Sequence, residues 1–156
     1  MTAGIEGRLQ TMGLSLPGAP APVANYVPTV EVGGLLFISG QVSRKADGSM
    51  ITGRLGAGLD AAAGREAAKV CALNLLAQAK AALGSLDRIA RVVKLTGFVN
   101  SDPSFNQQPQ VVNGASDFLV ELLGDNGRHS RSAVGVAALP GDAAVEIEAI
   151  FAVATR

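Results

Sequence analysis

The sequence predicts an α+β domain: one mixed sheet built in the order ββαβαββ, two helices covering a single face, and a short extra helix in front. Three observations carry this. Two long stretches repeat apolar residues at helical spacing, two β-rich runs flank Gly33-Gly34, and the C-terminal stretch alternates in steps of two. There, Val145, Ile147, Ala149, Phe151 and Val153 share one face of a strand, while Glu146, Glu148 and Ile150 fall on the other.

In chain order, Thr2 can cap a short helix over Ala3 to Met12, with Ile5, Leu9 and Met12 at helical spacing. Leu16 to Pro22 is a proline-rich connector that keeps the chain extended. Tyr26 to Val32 and Leu35 to Ser39 form a hairpin whose Gly33-Gly34 loop suits a primed turn. Gln41 to Gly58 is polar, glycine-rich and predicted to loop over the surface. Asp60 caps a helix running to Leu83 and ended by Gly84, with Ala68, Cys71, Ala72, Leu75, Leu76, Ala79 and Leu83 as its buried stripe. Ile89 to Val99 reads as a strand. A second helix from about Gln107 or Pro109 to Leu123 buries Val111, Ala115, Phe118, Leu119 and Leu122. After Gly124 to Gly127, the two last strands are expected to pair as an antiparallel hairpin, Arg131 to Ala138 against Ala144 to Val153. The organisation is residues 1–21 as helix and connector, then 22–156 as a single domain.

At 156 residues the chain suits one domain that buries roughly 70% of its unfolded surface. Apolar residues make up 48% and charged ones 17%, which leaves some surface to be buried against other subunits, and the sheet face without helices is where that is expected. With 13 basic and 13 acidic residues, nothing steers the chain toward nucleic acid or an anionic membrane. No run of apolar residues is long enough to span a bilayer and no leader stands at the N-terminus, so a cytoplasmic location is expected. Gly56-Ala57-Gly58-Leu59-Asp60-Ala61 fits a dinucleotide fingerprint, yet no acidic residue follows about 20 positions later to hold a ribose. One histidine and one cysteine give no His/Cys metal cluster, so neither cofactor nor metal is expected. Cys71 reads as core, and His129, between Arg128 and Ser130, as an exposed loop residue.

Two sets of charges stand out. Arg131 opens a strand of Ala, Val and Gly, and is either half of a strand-end salt bridge or a two-pronged anchor for a ligand carboxylate. Glu146 and Glu148 project in parallel from one face, which is either solvated or covered by something apolar.

Leu36-Phe37-Ile38-Ser39-Gly40-Gln41, Arg131-Ser132-Ala133-Val134-Gly135-Val136, Leu139-Pro140 and Val145-Glu146-Ile147-Glu148-Ala149 together resemble the RidA/YjgF family, also labelled endoribonuclease L-PSP. The resemblance spans roughly Pro22 to Val153. It implies a chorismate-mutase-like fold, a homotrimer, and inter-subunit clefts for a small carboxylate-bearing metabolite. It also implies hydrolytic deamination of reactive 2-enamines or 2-imines to 2-keto acids and ammonia. By the same resemblance Arg131 holds the substrate carboxylate, Glu146 positions water, and Tyr26, Ser39, Gly40 and Asn113 line the substrate site. The N-terminal helix and connector, longer loops at Gln41 to Gly58 and Asp102 to Pro109, and Ala133 where many members carry cysteine mark a divergent subgroup. The alternative is a non-catalytic trimeric carboxylate-binding or regulatory module, which needs Arg131 and not Glu146; neutral charge, one histidine and few aromatics speak against RNA cleavage. In the expected hairpin, Arg131 would lie about 17 Å from Glu146. Both could then serve one small ligand only from different subunits.

Overall fold

Gly33 and Gly34, at φ of 60° and 76°, occupy the left-handed region that a primed two-residue turn requires, and the chain reverses there. The computed structural model describes residues 3–22 and 24–155. Helix α1 (Ile5–Thr11) precedes the hairpin of β1 (Thr29–Val32) and β2 (Leu35–Val42). Two-residue strands β3 (Arg54–Leu55) and β4 (Gly58–Leu59) punctuate the long loop. Then come α2 (Ala61–Leu83), β5 (Ile89–Asn100), α3 (Gln108–Leu123), β6 (Ser130–Val136) and β7 (Val145–Val153). The Asp60 side chain accepts the Ala63 N–H at 2.9 Å and Gly84 closes α2 at φ 82°, as the capping chemistry of the sequence predicts. Thr2, the expected cap of α1, lies outside the described residues; Gly4 occupies the position before the helix and makes no side-chain cap.

The main sheet runs β1-β2-β7-β5-β6, with β5 and β6 parallel and the other neighbours antiparallel. This corrects the expected terminal hairpin. β6 does not pair with β7; β5 lies between them, with Leu95 opposite Arg131 on one side and Ala149 on the other. The physical reason is burial. β7 carries Val145, Ile147, Ala149 and Phe151 fully inside, so it belongs at the sheet centre, whereas no residue of β6 is buried, which suits an edge. Residues 137–144 turn through Pro140–Asp142 and carry the chain across the end of β5.

Helices α2 and α3 cover one face of this sheet, α2 over β2 and β7, α3 over β5 and β6. Small residues set the spacing. A Cβ on Gly97 would meet Val112 Cγ2 at 2.6 Å, and one on Gly114 would meet the Arg65 carbonyl oxygen at 2.0 Å. Cys71 is buried on this face, its Sγ–H donating to the Val145 carbonyl at 3.4 Å. α1 joins the same core through Ile5 and Leu9, and the Ile5 N–H donates to Asp87 Oδ1 at 2.8 Å. On the opposite face Phe37 and Val134 stay exposed, and a hollow of about 410 Å³ runs between Phe37, Lys94, Thr96, Glu148 and Ile150. Among the described residues no helix is long and apolar enough to cross a membrane.

Gly114→Ala should separate α2 from α3, because the new methyl meets rigid backbone rather than a movable side chain. Urea unfolding should show a loss of about 1–3 kcal/mol. An unchanged midpoint would mean that the two helices do not approach this closely.

Candidate functional site

The site region is shaped by a fault in the β2–β7 ladder. Ile38 pairs with Ala149 and Gln41 with Ile147, so Ser39 and Gly40 together oppose Glu148 as a β-bulge. Gly40 is needed there: a Cβ would come within 2.7 Å of Glu146 Oε2, so the glutamate lies along the bare Cα. The bulge is pinned from both sides. Ser39 Oγ–H donates to the Val27 carbonyl at 3.2 Å and its N–H to that of Pro28 at 2.9 Å. Gln41 Nε2–H donates to the Ser39 carbonyl at 3.0 Å, while Gln78 Nε2–H reaches both Gln41 Oε1 at 3.4 Å and the Pro20 carbonyl at 2.9 Å. Both glutamines are buried, so these bonds run through the interior from connector to bulge.

Glu146 opens into a cavity of about 540 Å³ walled by Pro17, Pro20, Pro22, Tyr26, Gly40 and Lys45. Tyr26 stands at its rim, 51% exposed and ahead of β1 rather than in it. Among the described residues no donor or cation is bonded to the Glu146 carboxylate. Burial, and then the neighbouring charge of Glu148, raises its pKa above the ordinary carboxylate value.

Arg131 leaves the other face of the sheet, toward α3. Its Nη1 donates to Asn113 Oδ1 at 2.8 Å and Ser116 Oγ at 3.2 Å, and its Nη2 to the Pro109 carbonyl at 3.4 Å. All three acceptors are neutral, and among the described residues no carboxylate is in salt-bridge range, so the strand-end ion pair is not what holds it. With both Nη1 protons engaged, Nε–H and one Nη2 proton form an open edge of the guanidinium, the geometry that grips a carboxylate with two parallel bonds.

His129, read from sequence as an exposed loop residue, is partly buried instead. Its Nδ1 lies 2.6 Å from the Gly127 carbonyl and its Nε2 2.9 Å from Ser116 Oγ. Burial lowers its pKa, the Gly127 bond opposes this, and Arg131 lowers it further. Its partner Ser116 lies 13 residues away on α3, a contact no local pattern announces.

The structure therefore joins Asn113 to Arg131 and Tyr26 and Gly40 to Glu146, while Ser39 lines the neighbouring hollow with Glu148. It does not join the two groups within one chain. Glu146 pairs with Phe98 and Arg131 with Leu95, which puts them three residues apart along β5, about 10 Å, and two strands apart, about 9.6 Å. Their side chains also leave opposite faces. The hairpin used to infer their separation is absent, and the separation arises from β5 lying between their strands. Among the described residues no cluster of His, Cys, Asp and Glu side chains could hold a metal ion.

Residues 6–152 match the family described as "YjgF/chorismate_mutase-like, putative endoribonuclease". The chain is 50% identical to Protein TCP17 of Trypanosoma cruzi over 94% of its own length and 92% of that protein's. It is 30% identical to 2-iminobutanoate/2-iminopropanoate deaminase of Dermatophagoides farinae, over 90% of this chain and 94% of the relative. Its structure resembles that of Atu1372 from Agrobacterium tumefaciens, a protein of unknown function, with a TM-score of 0.90 at 49% identity, covering 96% of this chain and 92% of that one.

The raised pKa of Glu146 sets a direction for stability. A carboxyl whose folded pKa exceeds its unfolded value destabilises the fold when ionised; the cost is absent below the unfolded pKa and complete above the folded one. Glu146→Gln should thus melt higher than the wild type at pH 8, with the gain shrinking toward pH 4. A lower melting temperature at pH 8 would put a cation beside this carboxylate in the assembled protein.

Proposed function

Because the chain belongs to the YjgF/RidA family, we propose that it is a hydrolytic deaminase of reactive 2-enamines and 2-imines, releasing 2-keto acids and ammonia in clefts between the subunits of a homotrimer. The observation that carries this reading is the Arg131 guanidinium, held only by neutral acceptors and left with a two-proton edge directed at no acid. A side chain so prepared is short of an anion, and a substrate carboxylate supplies one. The 30% identity to a 2-iminobutanoate/2-iminopropanoate deaminase supports a carboxylate-bearing imine as that substrate.

The chemistry asks little of the protein, since an imine carbon is already electrophilic. Arg131 would fix the carboxylate, and Glu146 would take a proton from water as the oxygen bonds to the carbon of the N-protonated imine, forming a neutral carbinolamine. Returned to nitrogen, that proton makes a neutral amine leaving group; the C–N bond breaks as Glu146 takes the hydroxyl proton, leaving a ketone and ammonia, while an enamine would first tautomerise to the imine. The raised pKa of Glu146 suits a general base better than an ordinary surface carboxylate would. Since Arg131 and Glu146 leave opposite faces of one sheet, the reading needs them from different subunits. The uncovered apolar face with Phe37 and Val134 supplies the surface on which copies would meet.

Sedimentation should give a trimer, and Arg131→Ala should keep that mass while losing about 1.5 to 3 kcal/mol of transition-state binding, roughly 10- to 150-fold in kcat/KM on 2-aminoacrylate. Full activity in a trimeric Arg131→Ala would refute the assignment. Glu146→Gln should keep 2-ketobutyrate binding and slow turnover. Thermal stabilisation of the wild type by 2-ketobutyrate without any turnover would favour a binding module over an enzyme.

A further inference from the structure

The bonds around Ser116 and His129 fix one proton arrangement for a neutral imidazole. The Gly127 carbonyl, 2.6 Å from His129 Nδ1, can only accept, so the imidazole proton sits on Nδ1. Burial first, and Arg131 with it, disfavour a second ring proton, so Nε2 stays bare and accepts the Ser116 hydroxyl at 2.9 Å. Ser116 Oγ in turn accepts an Arg131 Nη1–H at 3.2 Å. A backbone carbonyl in the turn after α3 thereby fixes the imidazole tautomer, which fixes the serine hydroxyl, which presents a lone pair to the arginine. The other neutral tautomer sets two acceptors face to face at Gly127.

We propose that His129 is a positioning residue for the carboxylate anchor: as the neutral Nδ1–H tautomer it orients Ser116 so that Arg131 keeps its open Nε/Nη2 edge. This rests on the reading of Arg131 as a carboxylate anchor. Without the imidazole acceptor the Ser116 hydroxyl rotates freely, and the guanidinium loses one of the two bonds that fix Nη1. Asn113 then holds that nitrogen alone, and the guanidinium plane is tied only there and, through Nη2, at the longer bond to the Pro109 carbonyl. The effect is on ligand affinity, since His129 and Ser116 act only through the guanidinium that holds the carboxylate.

The chain's lone histidine makes the first test direct. In tag-free protein at pH 7.5, imidazole ¹⁵N shifts should report a protonated Nδ1 and a bare Nε2. The Nε2–H tautomer, which predominates in free histidine, would overturn the proposal whatever the protein's activity. The second test is calorimetric binding of 2-ketobutyrate. His129→Phe should weaken binding roughly tenfold, the loss expected of one neutral hydrogen bond, and Ser116→Ala should do the same. Their combination should be no worse than either alone, because both cut one link. His129→Gln can accept from Ser116 and donate to Gly127, so it should bind within about twofold of the wild type. Should His129→Phe fail to fold, Ser116→Ala reads the same link. If Arg131→Ala abolishes binding while His129→Phe and Ser116→Ala bind normally, the relay is refuted and the anchor stands. If Arg131→Ala itself binds normally, the anchor falls, and the relay's role falls with it.

Discussion

The alternation of β7 is the constraint from which the rest follows. Val145, Ile147, Ala149 and Phe151 must be covered, and two helices whose small residues allow close approach cover them. That commitment forces Glu146, Glu148 and Ile150 out through the other side of the sheet, which no helix covers. A strand central to the core on one face is thereby exposed and acidic on the other. Glu146 consequently sits half-buried beside a second carboxylate, with no cation in salt-bridge range among the described residues, an arrangement a purely structural sheet would avoid.

The same constraint displaces β6 to the edge, and this governs Arg131. An edge strand has room beside it, so a long cation can lie between sheet and helix without entering the dry core. α3 meets it with an amide oxygen, a hydroxyl and a carbonyl from its first turns. Neutral acceptors orient the guanidinium and leave its charge uncompensated. An aspartate at position 113 or 116 would stabilise the arginine more firmly and would remove its attraction for any other anion.

What the sequence disclosed was local. Asp60 and Gly84 bound α2, the paired glycines turned the first hairpin, and the buried stripes of both long helices were legible because each depends on neighbours within a few residues. The neighbours of β6 and β7 were not. Consecutive alternating strands read as a hairpin by default, and only the contrast between a fully apolar inner face and a strand with none hints that a third strand belongs between them. At the site, Arg131 and Glu146 were visible as charges in apolar surroundings. The surroundings of His129 were hidden, because its partners come from a helix and a turn that only the folded chain brings near.

The two buried glutamines give the N-terminal segment a different standing from a tail. Gln78 spends its amide protons on the Pro20 carbonyl and on Gln41, whose own amide holds the carbonyl of the bulge beside Glu146. Cutting the chain at residue 22 would take from Gln78 its Pro20 acceptor and from the Glu146 cavity the wall that the connector supplies. The boundary that composition draws at the proline-rich connector is thus a seam in the sequence only; in the folded protein the connector is part of the wall on which the carboxylate rests.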